Sequence, residues 1–218
     1  MFKIIEMNKI YSILIFVLLF NAATAQKLFT NIGVSVSNNT TSFPVAGYPS
    51  LFYSQFHPGV DITSQKSWTK NKERKSQFVQ SIDLGFFYHR FVQSGLRIYT
   101  KCDYQYSITR KATLGIGLGV GYLQSFTATE VLELNDNGKY EQRKVYSRPQ
   151  FIGLLNIGGT YRLKETSSRS ISLFINFRTW LQMPFVKTYV PMLPVNSLHL
   201  GVLVPLAKNV SESTPNKK

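Results

Sequence analysis

Three histidines, His57, His89 and His199, are the groups in this 218-residue chain best suited to hold a metal or move a proton near neutral pH. Neutral imidazole ligates zinc or copper and also serves as a base. A metal centre needs further donors at fixed spacing. No carboxylate or thiol stands at ligand spacing from any of the three, and the chain has one cysteine, Cys102, so polar packing is the plainer role. A second set consists of charged residues set mid-way along otherwise apolar-alternating segments: Asp61, Asp83, Asp103, Arg97, Lys101, Arg162 and Arg178. If these lie in an interior they must pair, because a buried unpaired charge costs several kcal/mol. Gly117, Gly119 and Gly121 alternate within one such segment and lack the following helix that a nucleotide loop requires.

The elements that position these groups are read from periodicity. Eight segments alternate with period two. One face carries, in order, Leu28 to Val36, Phe56 to Ile62, Phe78 to Tyr88, Leu96 to Tyr106, Leu114 to Tyr122, Phe151 to Leu163, Ile171 to Leu181 and Leu198 to Leu206. The opposite face carries the charges, the histidines and the glycines. A soluble sandwich also alternates. Three features favour a membrane wall instead. The segments run roughly 10–14 residues, long for a soluble strand and right for a tilted spanning one. Their number is even. Aromatics gather at both ends of the apolar face: Trp68, Phe78, Tyr104, Tyr106 and Tyr161 at one level, and Phe56, Tyr88, Tyr122 and Phe151 at the other. Short basic connections (69–75, 108–111 and 164–169) alternate with longer ones (38–55, 127–150 and 183–195); the connection 91–95 is short on the long-loop side.

Composition excludes other classes. Hydrophobic residues are 44%, charged residues 17% and aromatics 14%, so the chain is not a disordered tail, and one cysteine excludes a disulfide framework. Residues 1–25 have two early lysines, the apolar run Ile10–Phe20 and the small-residue site Ala23-Thr24-Ala25; they read as a secretory signal peptide, with Met1 or Met7 as the start. Export makes nucleic acid an unsuitable partner despite the formal charge of +14, most of which falls at the short-connection end. The expected organisation is a signal peptide (1–25), a barrel (26–206) and a polar tail (207–218). The fold class is all-β: an eight-stranded antiparallel transmembrane β-barrel with a plugged polar lumen, because eight strands enclose little more than their own side chains. Pairing strands two and three about residue 73 sets His57 opposite His89, and all three histidines are expected near the outer mouth. Arg97, Tyr99, Lys101 and Asp103 are expected to face the glycine stripe.

On this pattern the chain resembles the small eight-stranded outer-membrane barrels of Gram-negative bacteria. The Ala25-Gln26 junction, Gln55-Phe56-His57-Pro58-Gly59 and Leu193-Pro194-Val195-Asn196-Ser197 resemble a barrel family of the Bacteroidota. The resemblance implies an outer-membrane address with both termini periplasmic, and partners among outer-membrane lipids, lipopolysaccharide and other envelope proteins. It implies no cofactor and no catalytic residue. Arg143, Lys144, Arg148 and Lys187 are candidates to meet lipid A phosphates. Some barrels of this size are lipid A deacylases with a His-x-Ser pair facing lipid. The three histidines here begin His57-Pro58-Gly59, His89-Arg90-Phe91 and His199-Leu200-Gly201, with no match. Binding or envelope support therefore leads, acyl hydrolysis of lipid A is second, and a narrow path for a small hydrophobic solute, suggested by Ile152, Leu154 and Phe174 on the polar face, is third. The long loops at 38–55 and 183–195 are rich in aromatics and proline and suit either a partner surface or a lid over the mouth.

Overall fold

The computed structural model describes residues 29–43, 49–52, 55–69, 75–128, 132–134, 138–142, 147–164, 170–185 and 190–206. The expected signal peptide and polar tail lie outside the described residues. The strands are β1 (Asn31–Thr41), β2 (Pro58–Ser67), β3 (Ser76–His89), β4 (Gln93–Ser107), β5 (Ala112–Thr127), β6 (Leu132–Leu134), β7 (Tyr140–Gln142), β8 (Ser147–Arg162), β9 (Ser172–Met183) and β10 (Leu193–Pro205). Eight of them close into a barrel in the order β1-β10-β9-β8-β5-β4-β3-β2, every contact antiparallel. β6 and β7 form a separate two-stranded hairpin between β5 and β8. Period-two patterning does not show this hairpin. Its strands are three residues each, and Gly138, at φ 72°, supplies the left-handed conformation beside them.

The wall is inclined. Following paired residues from Asn31 through Gln65, Ser81, Lys101, Gly119, Leu154, Trp180 and Val195 leads back to β1 at Thr41, ten residues further on. Stagger of this kind is what tilts strands and lets a small sheet close. Because alternate side chains point to opposite faces, the stagger carries one face of every strand inward together. The inward face holds Asp61, Asp83, Arg97, Lys101, Asp103 and Arg178, all buried. The outward face is an apolar band of Val34, Ile62, Leu84, Ile98, Leu118, Leu155, Ile175, Leu200 and their neighbours, all exposed. Cys102 lies in this band, exposed. The aromatic residues named above are exposed at the two edges of the band, and Phe78 and Tyr104 pair across β3 and β4 with ring centroids 5.3 Å apart. The connections β2–β3, β4–β5 and β8–β9 lie at the end where β1 begins and β10 ends; the other four lie opposite.

The interior is not polar throughout. Phe87, Tyr99, Leu123, Ile152, Leu154, Trp180 and Val195 form a buried apolar cluster, with Leu193 packed against it. Each belongs to the inward face. Singly they read as breaks in an alternating pattern; the barrel's curvature brings them together as a layer in its outer half. Ile152 and Leu154 are part of this layer. Phe174 lies apart, beside a small polar cavity of about 20 Å³ toward the inner end, which Gln65, Lys101, Asp103, Asn156 and Asn176 also line. That volume suits a water. The three residues that suggested a continuous apolar path do not make one.

Leu118 is 69% exposed in the middle of the apolar band. Leu118→Arg is expected to destabilise the barrel by about 2–4 kcal/mol in denaturant titrations from lipid vesicles, as a charge at the bilayer midplane does. An unchanged unfolding midpoint would contradict a hydrocarbon-facing wall.

Candidate functional site

The charged residues form one connected network across the lumen. Arg97 donates to Asp61 twice, Nε to Oδ1 at 3.1 Å and Nη2 to Oδ2 at 2.8 Å. Tyr99 donates its hydroxyl to Asp61 Oδ1 at 3.3 Å and accepts from Arg178 Nη1. Arg178 Nη2 lies 3.5 Å from Asp83 Oδ1, and its Nε donates to Asn156 Oδ1 at 3.3 Å. Asn156 donates to Asp103 Oδ1 at 2.9 Å, and Lys101 pairs with the other Asp103 oxygen. Thr63 and Ser81 donate to Asp83 at 2.5 and 2.8 Å. Three carboxylates thus meet three cations, one to one, with hydroxyls and an amide filling remaining lone pairs. Arg97 Nη1 is left without a hydrogen-bond partner among the described residues; the one-to-one pairing is what makes the charges tolerable in a low-dielectric interior.

Glycine makes room for this network. On β5, Gly117, Gly119 and Gly121 face Asp103, Lys101 and Tyr99, while Gly115 faces Gln105. A Cβ at Gly117 would stand 2.0 Å from Asp103 Oδ1, and one at Gly85 would stand 2.0 Å from Asp61 Oδ1. Arg97 and Arg162 stand elsewhere than the alternation predicts. Arg97 faces Leu123, one pair beyond the glycines, because the stripe ends where the apolar layer begins. Arg162 is exposed, at the last position of β8 at the inner end; parity points it inward, but the wall stops there, and it does not join the network. Arg97 instead links the two layers. Its guanidinium lies 4.4 Å from the Trp180 ring centroid and 5.5 Å from that of Phe87, so cation–π attraction sets the charge against the apolar layer.

The histidines divide into two places. His57 and His89 sit at the outer mouth, opposite one another as the turn about residue 73 requires, with stacked rings 3.6 Å apart and 9° from parallel. His57 Nδ1 lies 3.1 Å from the Asn39 carbonyl oxygen, so the Nδ1–H tautomer donates there and leaves Nε2 as an acceptor. Parallel rings do not converge on one ion, and among the described residues no group of three His, Cys, Asp or Glu could hold a metal. His199 is not at the mouth. It is fully buried in mid-barrel, six residues into β10, because the inclined register sets it at the level of Asp61. Ser197 Oγ lies 2.9 Å from His199 Nε2, and His199 Nδ1 lies 3.2 Å from Asp61 Oδ2.

The order Ser197-Leu198-His199 reverses the His-x-Ser spacing, which is why a search for that spacing passes over it. By distance these three have the parts of an acyl-transfer triad. Alignment and access differ. His199 Nδ1 makes no hydrogen bond despite its nearness to Asp61, Asp61 is committed to Arg97, and all three residues are sealed in the lumen.

Toward the outer strand ends the inward side chains turn polar again. Gln93 donates to Gln182 Oε1 at 2.8 Å, and Gln150 donates to the Pro184 carbonyl at 2.9 Å. Among the described residues, nine buried side-chain polar atoms have no hydrogen-bond partner: Asn39 Oδ1, His57 Nε2, His89 Nδ1, Gln150 Oε1 and Gln182 Nε2 toward the mouth, and Ser35 Oγ, Arg97 Nη1, Trp180 Nε1 and His199 Nδ1 deeper in the barrel. Periodicity carries no signal for this clustering, which depends on how the strand ends converge. Of the candidate phosphate contacts, Arg148 donates to the Phe185 carbonyl at 3.2 Å and ties β8 to the segment after β9. Arg143, Lys144 and Lys187 lie outside the described residues.

No protein-family model matches the chain, and no curated protein matches it. Among solved structures it is similar to the Neisserial surface protein A (10% identity, 80% of this chain and 95% of that one, TM-score 0.47). It is also similar to the outer membrane enzyme PagL (10%, 80% and 99%, 0.45) and to Ail, the attachment invasion locus protein of Yersinia pestis (12%, 81% and 96%, 0.38). The likeness is one of fold, which the strand register above establishes independently.

Removing one partner of the Asp61–Arg97 pair strands the other in the interior. Asp61→Leu and Arg97→Met are each expected to cost about 3–5 kcal/mol, and the double variant less than either. A double-mutant cycle in vesicle-refolded protein measures this; simple addition of the two losses would show that the pair is not coupled.

Proposed function

We propose that this chain is an integral outer-membrane barrel of Gram-negative type that works from its outer face without enzymatic chemistry, taking a ligand or partner at its outer mouth and loops, or supporting the envelope. The observation that carries this reading is the sealed lumen. The polar side chains of the outer strand ends, the apolar layer and the charged network stand one above another, and the cavity beneath them is water-sized. Among the described residues the lumen is filled by side chains, which favours interactions at the surfaces over passage of a solute. The apolar band with aromatic edges supports the membrane address. The end with short connections, where β1 starts and β10 finishes, is then periplasmic, and the long connections face outward. Kinship with the Bacteroidota barrels belongs to the same proposal. Lipid A phosphates remain the natural contacts for Arg143, Lys144 and Lys187, with Arg148 held to the Phe185 carbonyl.

The unpaired atoms of the mouth favour a small polar ligand over a bare apolar one, since they offer both donors and acceptors above an apolar floor. Acyl hydrolysis draws no comparable support, because its serine and histidine would have to meet lipid, and Ser197 and His199 do not.

Purified protein in planar bilayers is expected to show no stable single-channel conductance; reproducible unitary currents would refute a sealed lumen. Zinc titration is expected to give the same weak binding in wild type and His57→Ala. A saturable site lost in the variant would instead make the stacked histidines metal ligands.

A further inference from the structure

The outer half of the wall has an irregular patch. At the outer aromatic level the outward residues are Phe56 just before β2, Tyr88 on β3, Tyr122 on β5 and Phe151 on β8, all exposed. Allowing for the climb of the register, β1, β10 and β9 carry Thr40, Asn196 and Thr179 at that level and just beneath it. These three are cross-strand neighbours, with Asn38 one outward position below Thr40. They are polar side chains on the lipid face, and yet Asn196, Thr40 and Thr179 are buried.

What covers them is the connection between β1 and β2. Asn196 Nδ2 donates to the Ser42 carbonyl at 2.7 Å, while Thr179 donates to Asn196 Oδ1 at 2.6 Å. Ser50 donates to Thr40 Oγ1 at 3.3 Å. Asn38 donates to the Leu51 carbonyl at 2.8 Å and accepts from the His57 backbone amide at 2.9 Å. Leu51, within the helical turn at 49–52, is buried. The described part of this connection therefore lies down the outside of the wall; it is not a lid over the mouth. Facing away from the wall, Phe43 is 76% exposed and Phe52 67% exposed.

In hydrocarbon a polar group without a partner is costly. Polar side chains at one spot on a lipid-facing wall need partners, and here the strap bonds Asn38, Thr40 and Asn196, while Thr179 donates to Asn196. Its exposed side carries Phe43 and Phe52, and aromatic rings prefer the headgroup level. We propose that residues 42–43 and 49–52 of the β1–β2 connection form a lipid-embedded strap: they dock on Asn38, Thr40 and Asn196, the last holding Thr179, and present Phe43 and Phe52 to the acyl chains and headgroup boundary of the outer leaflet. This rests on the membrane-spanning reading of the barrel. It takes residues 42–43 and 49–52 out of the set that reaches into the medium.

The test is collision-accessibility EPR on the barrel in lipid nanodiscs, comparing oxygen with a water-soluble nickel chelate. A spin label on native Cys102, on the exposed band, serves as the reference and should favour oxygen. In a Cys102→Ser background, a label at Phe43→Cys should also favour oxygen, with nickel accessibility several-fold below that of a label at exposed Lys139→Cys. Adding Asn196→Leu should release the strap and raise nickel accessibility at position 43 several-fold; Thr40→Val replaces it if that barrel does not fold. If Cys102 itself favours nickel, the membrane reading fails. If Cys102 favours oxygen but position 43 favours nickel, or is shielded from both reagents as in a protein contact, the strap proposal alone is overturned.

Discussion

The barrel is arranged around charge held in a narrow, buried interior. Asp61, Asp83 and Asp103 cannot stay ionised inside a barrel of this width unless each has a cation within reach, and Arg97, Arg178 and Lys101 supply one apiece. That requirement governs backbone as well as side chains. Glycine stands at positions 85, 117 and 121, where any Cβ would overlap the network or the ring that completes it. It also makes the register non-negotiable. A slip of one residue would turn every charge of a strand toward hydrocarbon and every aliphatic residue toward the network. The stagger of ten residues per circuit and the one-to-one pairing are therefore two aspects of one constraint.

Parity made most of this readable in the residues themselves. The alternation from Leu96 to Tyr106 separates lipid-facing from lumen-facing side chains without ambiguity, and turn-centre arithmetic sets His57 against His89 as the rings in fact stand. What parity lacks is height. Arg162 has the inward parity of Arg178 but stands where the wall ends, and His199 has the parity of His57 but stands in mid-barrel. Both misplacements come from treating adjacent strands as level, when the inclined rows raise each strand relative to the last.

Two further features were hidden for a related reason. Phe87, Leu123, Ile152, Trp180 and Val195 come from five strands, and each by itself is one apolar residue on a polar face. Only closure of the barrel makes them neighbours. Thr40, Thr179 and Asn196 are the mirror case on the outer face, where each reads as the frayed end of an alternating run. Their meaning appears when register aligns them, the β1–β2 connection bonds Thr40 and Asn196, and Asn196 accepts from Thr179. In both cases the information lies in contacts between distant segments, which no window along the chain contains.

The stacking of layers also decides how Ser197, His199 and Asp61 should be understood. Distances alone would admit them to acyl-transfer chemistry. Catalysis by such a set requires the aspartate to orient the histidine, and here Asp61 turns its oxygens to Arg97 and Tyr99. It also requires an acyl group to reach the serine, which the apolar layer and the network on either side prevent. The same three residues serve better as polar packing: Ser197 satisfies one imidazole nitrogen, and His199 lies against the carboxylate that anchors the network. Most inward polar residues of mid-barrel are thus spent on one another, and none of Ser197, His199 and Asp61 is left where an acyl group could meet it.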